Sequence, residues 1–267
     1  MRRKNRGKQT LKKKMLSILL LSAMSSILAV VIVSYMTIRM IQNDGIKESM
    51  QIYLEQITRE MDSDYYDMIG IVNQMSPDGL IGSATERYLS SNDNYDRYLE
   101  QKFLREELIK LGYVNTKLLG ITYYDPKEQK ELIGNFNVRV LDPSYQTISK
   151  VVVGADNTIQ AMHDSYLGIK ETPVVSVMRR VSFGNQKMLD IYAEMEPDMS
   201  VSDQLNKEKW PYTYMEMDEN GIVQYSNNPV IVQGQKILSE LPKKEGHAVT
   251  NQEGYKIMVY RSTIGYA

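Results

Sequence analysis

Residues 173–195 read PVVSVMRRVSFGNQKMLDIYAEM. Two runs rich in β-branched and aromatic residues, Pro173–Phe183 and Met188–Met195, flank Gly184-Asn185, which predicts an antiparallel strand pair. Side chains alternate along a strand, so Val175, Val177, Arg179, Val181 and Phe183 fall on one face. On the return strand Asp190, Tyr192 and Glu194 share a face. Arg179 is then a cation in an apolar row, and a buried charge needs a partner. Two readings follow. Arg179 pairs internally with Asp190 or Glu194, or it meets the carboxylate or other anion of a ligand, with Tyr123, Tyr166, Asp190 and Tyr192 shaping the pocket.

Upstream the texture is helical. Ile46, Met50, Tyr53, Ile57, Met61, Tyr65, Met68, Val72 and Met75 recur at steps of three or four, one stripe of a long helix ended by Pro77-Asp78-Gly79. That stripe packs on its own domain, and its near-heptad spacing also suits a seam with a second copy. Asn43-Asp44-Gly45 either breaks this helix from what precedes it or is run through. A second helix is expected over 95–111, stopped by Gly112.

Further upstream, Met15–Ile38 carries no charge over 24 residues. At about 1.5 Å per residue this is enough for a hydrocarbon core of about 30 Å. Residues 1–39 hold nine Lys or Arg and no Asp or Glu, eight of the nine before the apolar run. That bias predicts a cytoplasmic N-terminus and an extracytoplasmic body. A cleaved signal peptide is the competing reading. The run is long for one, and no small-residue cleavage site with a polar flank follows it.

Downstream of residue 112, short strands are expected at Leu118–Tyr124, Val151–Val153, Tyr212–Met217 and Ile222–Ser226, with a final pair at Gly246–Thr250 and Tyr255–Arg261. Short helices are expected at 198–207 and 233–241, and a turn at Asp218-Glu219-Asn220-Gly221. The expected fold is α+β: a basic cytoplasmic tail (1–14), a transmembrane helix (15–38), a long helix (39–79), then strand-rich modules at 80–202 and 203–267 with antiparallel sheets.

Composition narrows the function. Residues 40–267 hold 23 basic against 33 acidic side chains, a formal charge of -10, which argues against nucleic-acid binding. Without cysteine there is no thiolate catalysis and no Cys-ligated zinc. His163 and His247 have no ligand-like spacing and read as surface histidines. Glu194-Glu196-Asp198 reads as a solvated acidic face. Phosphate-binding loops and the H-E-x-x-H and G-x-S-x-G motifs are absent. No catalytic residue, metal or cofactor is expected.

Four segments carry a family resemblance: IYLEQITREMDSDYYDMIGIVNQM (52–75), VSVMRRVSFGNQKMLDIYAEM (175–195), MEMDENGIVQYSNNP (215–229) and YRSTIGYA (260–267). Together they resemble the double Cache (PAS-like) sensor domains of bacterial transmembrane receptors, with YesM-like sensor histidine kinases the best match. Tyr266 stands where the family usually has Trp. The resemblance implies a sensor that binds a small molecule, or a solute-binding protein carrying one, in the membrane-distal module, and signals as a homodimer across the cell membrane. The ligand class stays open. The second membrane span, HAMP linker, phosphoacceptor histidine and ATP site of such kinases are not found before Ala267, so the kinase is expected outside this sequence. A chemotaxis, cyclic-dinucleotide or DNA-binding output, or a stand-alone membrane-anchored binding protein, fits the same text.

Overall fold

The computed structural model describes residues 3–136, 147–148, 150, 155–168, 173–184, 186–197, 213–218, 220–237, 246–252 and 255–261. Contacts divide the chain into two units, Met1–Tyr53 and Leu54–Ala267. Helix α1 (Arg3–Met75) is continuous, and Asn43-Asp44-Gly45 does not interrupt it.

From Met15 to Ile41 the large apolar side chains are exposed, Leu21 at 75% for example. The helix is long and apolar enough to cross a membrane, with a window of mean hydropathy 2.6. Ser17, Ser26 and Thr37 each donate to the carbonyl four residues back at 2.9 Å.

In the second unit the α1 stripe becomes core. Ile57, Met61, Tyr65, Met68, Ile71, Val72 and Met75 are all buried. Met68, Val72 and Met75 are fully so, each worth about 1.5–3 kcal/mol in apolar area removed from water. From Ile57 onward this stripe is used inside the chain, which is the own-domain reading of its periodicity. The chain then doubles back. Gly79 N–H donates to Ser76 O at 2.8 Å, and helix α2 (Leu80–Ser90) begins against the end of α1. A Cβ on Gly82 would lie 1.8 Å from the Ser76 carbonyl oxygen, so only glycine permits this approach. Helix α3 (Asn94–Val114) starts where the Asp93 carboxylate accepts from Asp96 N–H, and it buries Leu104, Leu108 and Gly112. The sequence periodicity had located α3; α2 was not expected.

A five-stranded antiparallel sheet follows: β1 (Leu118–Asp125), β2 (Lys130–Phe136), β3 (Thr158–Asp164), β4 (Pro173–Phe183) and β5 (Lys187–Met195), in spatial order β2-β1-β5-β4-β3. β1 is buried along its whole length and β5 over Leu189–Met195, so the centre of the sheet is covered on both faces. Ile121, Tyr123, Val177, Arg179, Leu189 and Ile191 share the face turned to α1, where Tyr123 OH donates to Met75 O and Arg179 Nη1 to Asn73 Oδ1 at 3.3 Å. Thr122, Tyr124, Ser176, Met178, Arg180, Asp190, Tyr192 and Glu194 occupy the other face.

Two separate hairpins complete the described residues: β6 (Met215–Met217) with β7 (Val223–Ser226), and β8 (Gly246–Gln252) with β9 (Tyr255–Arg261). Gly221, at φ 74°, makes the expected turn between β6 and β7. The helix expected at 233–241 does not form over 233–237. Gly234 has φ 86°, and Lys236 bridges to Ile222 instead. The expected strand at Val151–Val153 and helix at 198–207 lie outside the described residues.

Candidate functional site

The strand segment MLDIYAEM puts a polar side chain at every second position, and the sheet buries all of them. Asp190, Tyr192 and Glu194 are each 0% exposed. Three buried polar groups in one row have to be paired, and their partners define the site.

Asp190 is held by Arg180. Nε donates to Oδ1 at 2.6 Å and Nη2 to Oδ2 at 3.0 Å, a two-pronged contact. Arg179 is one residue away and on the opposite face. The register explains the exchange. Phe183 pairs with Lys187, which leaves three residues between the strands, with Gln186 at φ 56°. A two-residue turn at Gly184-Asn185 would have set Arg179 opposite Asp190. One extra residue sets Arg180 there instead, because a slip of one residue exchanges the faces of a strand. The expected Arg179–Asp190 and Arg179–Glu194 pairs are therefore absent. Arg179 Nε donates to the Ala155 carbonyl and Nη1 to Asn73 and Ser76. Tyr123 is also on the α1 face, its hydroxyl on Met75 O. Of the five expected site residues, Tyr192 and Tyr166 come together at Glu194; Asp190 lies further along the same face, paired with Arg180, and Arg179 and Tyr123 are on the other face.

Glu194 is the centre of the cluster. Its Oε1 accepts from Tyr192 OH and, at 2.7 Å, from Tyr166 N–H; its Oε2 accepts from Ser165 Oγ at 2.7 Å. Burial pushes its carboxyl above the ordinary value, against these hydrogen bonds, which pull it down. The Tyr192 hydroxyl is raised by burial and then by the Glu194 carboxylate beside it. Glu194 is thus not part of a solvated acidic face, whereas Glu196, two residues on, is exposed; Asp198 lies outside the described residues.

Around this core stand rings and further polar groups. Tyr166 lies 6.1 Å from Tyr192 and stacks on His163 at 4.3 Å, with 19° between the planes. Tyr166 OH donates to Gln160 Oε1 at 2.9 Å. His163 Nδ1 is 2.6 Å from the Asp164 carbonyl, which can only accept, so Nδ1 carries the proton and Nε2 accepts from Ser176 Oγ at 2.8 Å. Burial lowers its pKa and favours this neutral form. The histidine that the sequence suggested was a surface residue is part of the cluster, carried there by β3, which was not expected as a strand. The one available signal was the spacing of Asp190, Tyr192 and Glu194. Ser165, Gln160 and Ser176 had none.

A second polar knot joins the β6–β7 hairpin to α1 and β3. The β3–β4 register slips between Gln160 and His163. Met162 N–H donates to Glu216 Oε2 at 2.9 Å. Glu216 Oε1 accepts from Tyr214 OH at 2.9 Å, and that hydroxyl also lies 3.1 Å from Met61 Sδ. Tyr65 OH donates to the Gln160 carbonyl at 2.9 Å.

Hydroxyls, carboxylates, one imidazole and aromatic faces can recognise a polar organic molecule by hydrogen bonding and stacking. Among the described residues no three His, Cys, Asp or Glu side chains are placed to hold a metal ion.

No family model and no curated protein matches the chain. Solved structures similar to it include the sensor domain of the V. cholerae histidine kinase DctB, at 15% identity and a TM-score of 0.46 over 72% of this chain and 70% of that one. Another is the ligand-binding domain of the Pseudomonas fluorescens chemoreceptor CtaA in complex with L-isoleucine, at 11% identity and 0.41 over 82% and 87%. A third is the ligand-binding domain of Mlp24 with asparagine, at 14% and 0.41 over 79% and 90%. With scores below 0.5, none of these bears on what this chain binds.

Proposed function

We propose that this chain is the extracytoplasmic ligand-sensing region of a membrane-anchored bacterial receptor of the sensor histidine kinase type. In this reading residues 15–38 span the cell membrane with the N-terminus in the cytoplasm, and two modules in series, 80–202 and 203–267, stand outside. The chain is not itself an enzyme; the kinase belongs to sequence beyond it. Its partners are a small molecule or a solute-binding protein, the membrane, and a second copy. The observation that carries the reading is the buried row Asp190, Tyr192 and Glu194, with Tyr166 and His163 stacked beside it. A sheet needing only stability would fill such positions with apolar side chains, since buried ion pairs add little to stability over well-packed apolar groups. The acidic body and basic head support the topology.

The test is a thermal-shift screen of the full chain in detergent against sugars, amino acids and organic acids. A compound that stabilises the wild type and loses at least about tenfold in affinity on Y166F or E194Q, about 1.4 kcal/mol, supports the site. A compound bound equally by the wild type and both variants places recognition elsewhere. Protease treatment of intact cells tests the topology: residues beyond 40 should be cut from outside.

A further inference from the structure

Helix α3 turns Leu104, Leu108 and Gly112 to the core. On the side of the helix away from Leu104 run Tyr95, Leu99, Lys102, Glu106, Ile109 and Tyr113, at steps of four and three throughout. At 3.6 residues per turn these six lie within about 40° of one line on the helix. All six are exposed, Tyr95 at 67%, Leu99 at 44%, Ile109 at 38% and Tyr113 at 80%. Such spacing sustained over 19 residues is that of a helix seam, and among the described residues nothing covers it.

The order of residue types along the stripe names the occupant. Read from either end it runs aromatic, aliphatic, charged, charged, aliphatic, aromatic, and the two central charges are opposite in sign. Laid antiparallel on itself about residue 104, the stripe sets Tyr95 beside Tyr113, Leu99 beside Ile109 and Lys102 beside Glu106 of the other copy. Laid parallel and in register, it sets lysine on lysine and glutamate on glutamate, which repel. A surface that complements itself under a two-fold rotation is an isologous interface. The α1 stripe from Ile57 to Met75 is not free for this role, because it is buried in the chain's own core. We propose that α3 is a homodimer face, seating the same helix of a second copy in antiparallel orientation through these six residues. This deepens the part of the proposed function that includes a second copy, by naming the face and its orientation, and does not depend on ligand sensing.

The sequence has no cysteine, so introduced thiols are unique. In the full chain, reconstituted in lipid nanodiscs or detergent, the double variant L99C/I109C should form disulfide-linked dimers under mild oxidation. L99C alone and I109C alone should not. Identical positions ten residues apart along the antiparallel pair are separated by about 15 Å, against the roughly 6 Å between Cα atoms that a disulfide needs. K102E brings four carboxylates together at the centre and should weaken association at least about tenfold; K102E/E106K should restore it. Cross-linking of L99C alone as efficient as that of the double variant would show a parallel seam and overturn the proposal. A wild-type chain that stays monomeric at all concentrations would overturn it too, and so would K102E dimerising like wild type. All substitutions lie on the exposed face, and unchanged circular dichroism verifies folding.

Discussion

Replacing Arg180 by Ala leaves the Asp190 carboxylate, with a fully buried side chain, without the two-pronged contact at 2.6 and 3.0 Å. Removing one partner of a buried ion pair costs about 3–5 kcal/mol. The Arg180 side chain is 29% exposed, so water reaches part of the vacated space, and about 2–4 kcal/mol is expected. For a folded unit of 150–250 residues each kcal/mol lowers Tm by about 2–4 °C, so the midpoint should fall by about 4–16 °C. The assay is thermal unfolding followed by circular dichroism on the full chain. Arg179→Ala is the internal control. It loses hydrogen bonds to neutral acceptors only, at Ala155, Asn73 and Ser76, and should cost about 1 kcal/mol. R180M/D190L, which removes both charges, should recover most of the loss. A midpoint for Arg180→Ala within 1 °C of wild type, or a larger loss for Arg179→Ala, would refute the assignment of the pair and with it the three-residue spacing between the strands.

Glu194 has a carboxyl raised above its ordinary 4.5 mainly by burial. Between the unfolded and folded values the folded chain therefore holds more protons. Its contribution is complete below 4.5 and is lost as pH rises through the folded value. E194Q should flatten the fall in denaturant-measured stability as pH rises above 4.5 relative to wild type; parallel curves would mean the carboxyl is not desolvated. Glu216 accepts the Met162 N–H at 2.9 Å where the β3–β4 register slips. Glu216→Ala should cost about 1–3 kcal/mol and speed amide exchange at Met162, while Glu216→Gln keeps the acceptor and most of the protection. Unchanged exchange in the alanine variant would show that the hairpin is not anchored there.

By itself the sequence determined what is local. An unbroken apolar run, helical periodicity ended by Pro77-Asp78-Gly79, and the β-branched runs on either side of residue 184 each depend on neighbours within a few turns or one hairpin. These gave α1, α3, β1, β4, β5 and the turn at Gly221. Strand β2 (KELIGNF) was not legible, because its glycine and asparagine blur the alternation. Nor was β3 (TIQAMHD), whose register slips beside its partner. Only the tertiary structure decided which arginine meets Asp190. One residue in a turn exchanges the faces of a strand, and propensity does not count turn residues that finely. The same holds for Glu194 with Ser165 and Tyr166, and for Glu216 with Met162, 54 residues apart. Such partners are chosen by the requirement that every buried polar group be satisfied once the chain is compact, and that requirement has no signature in a linear pattern.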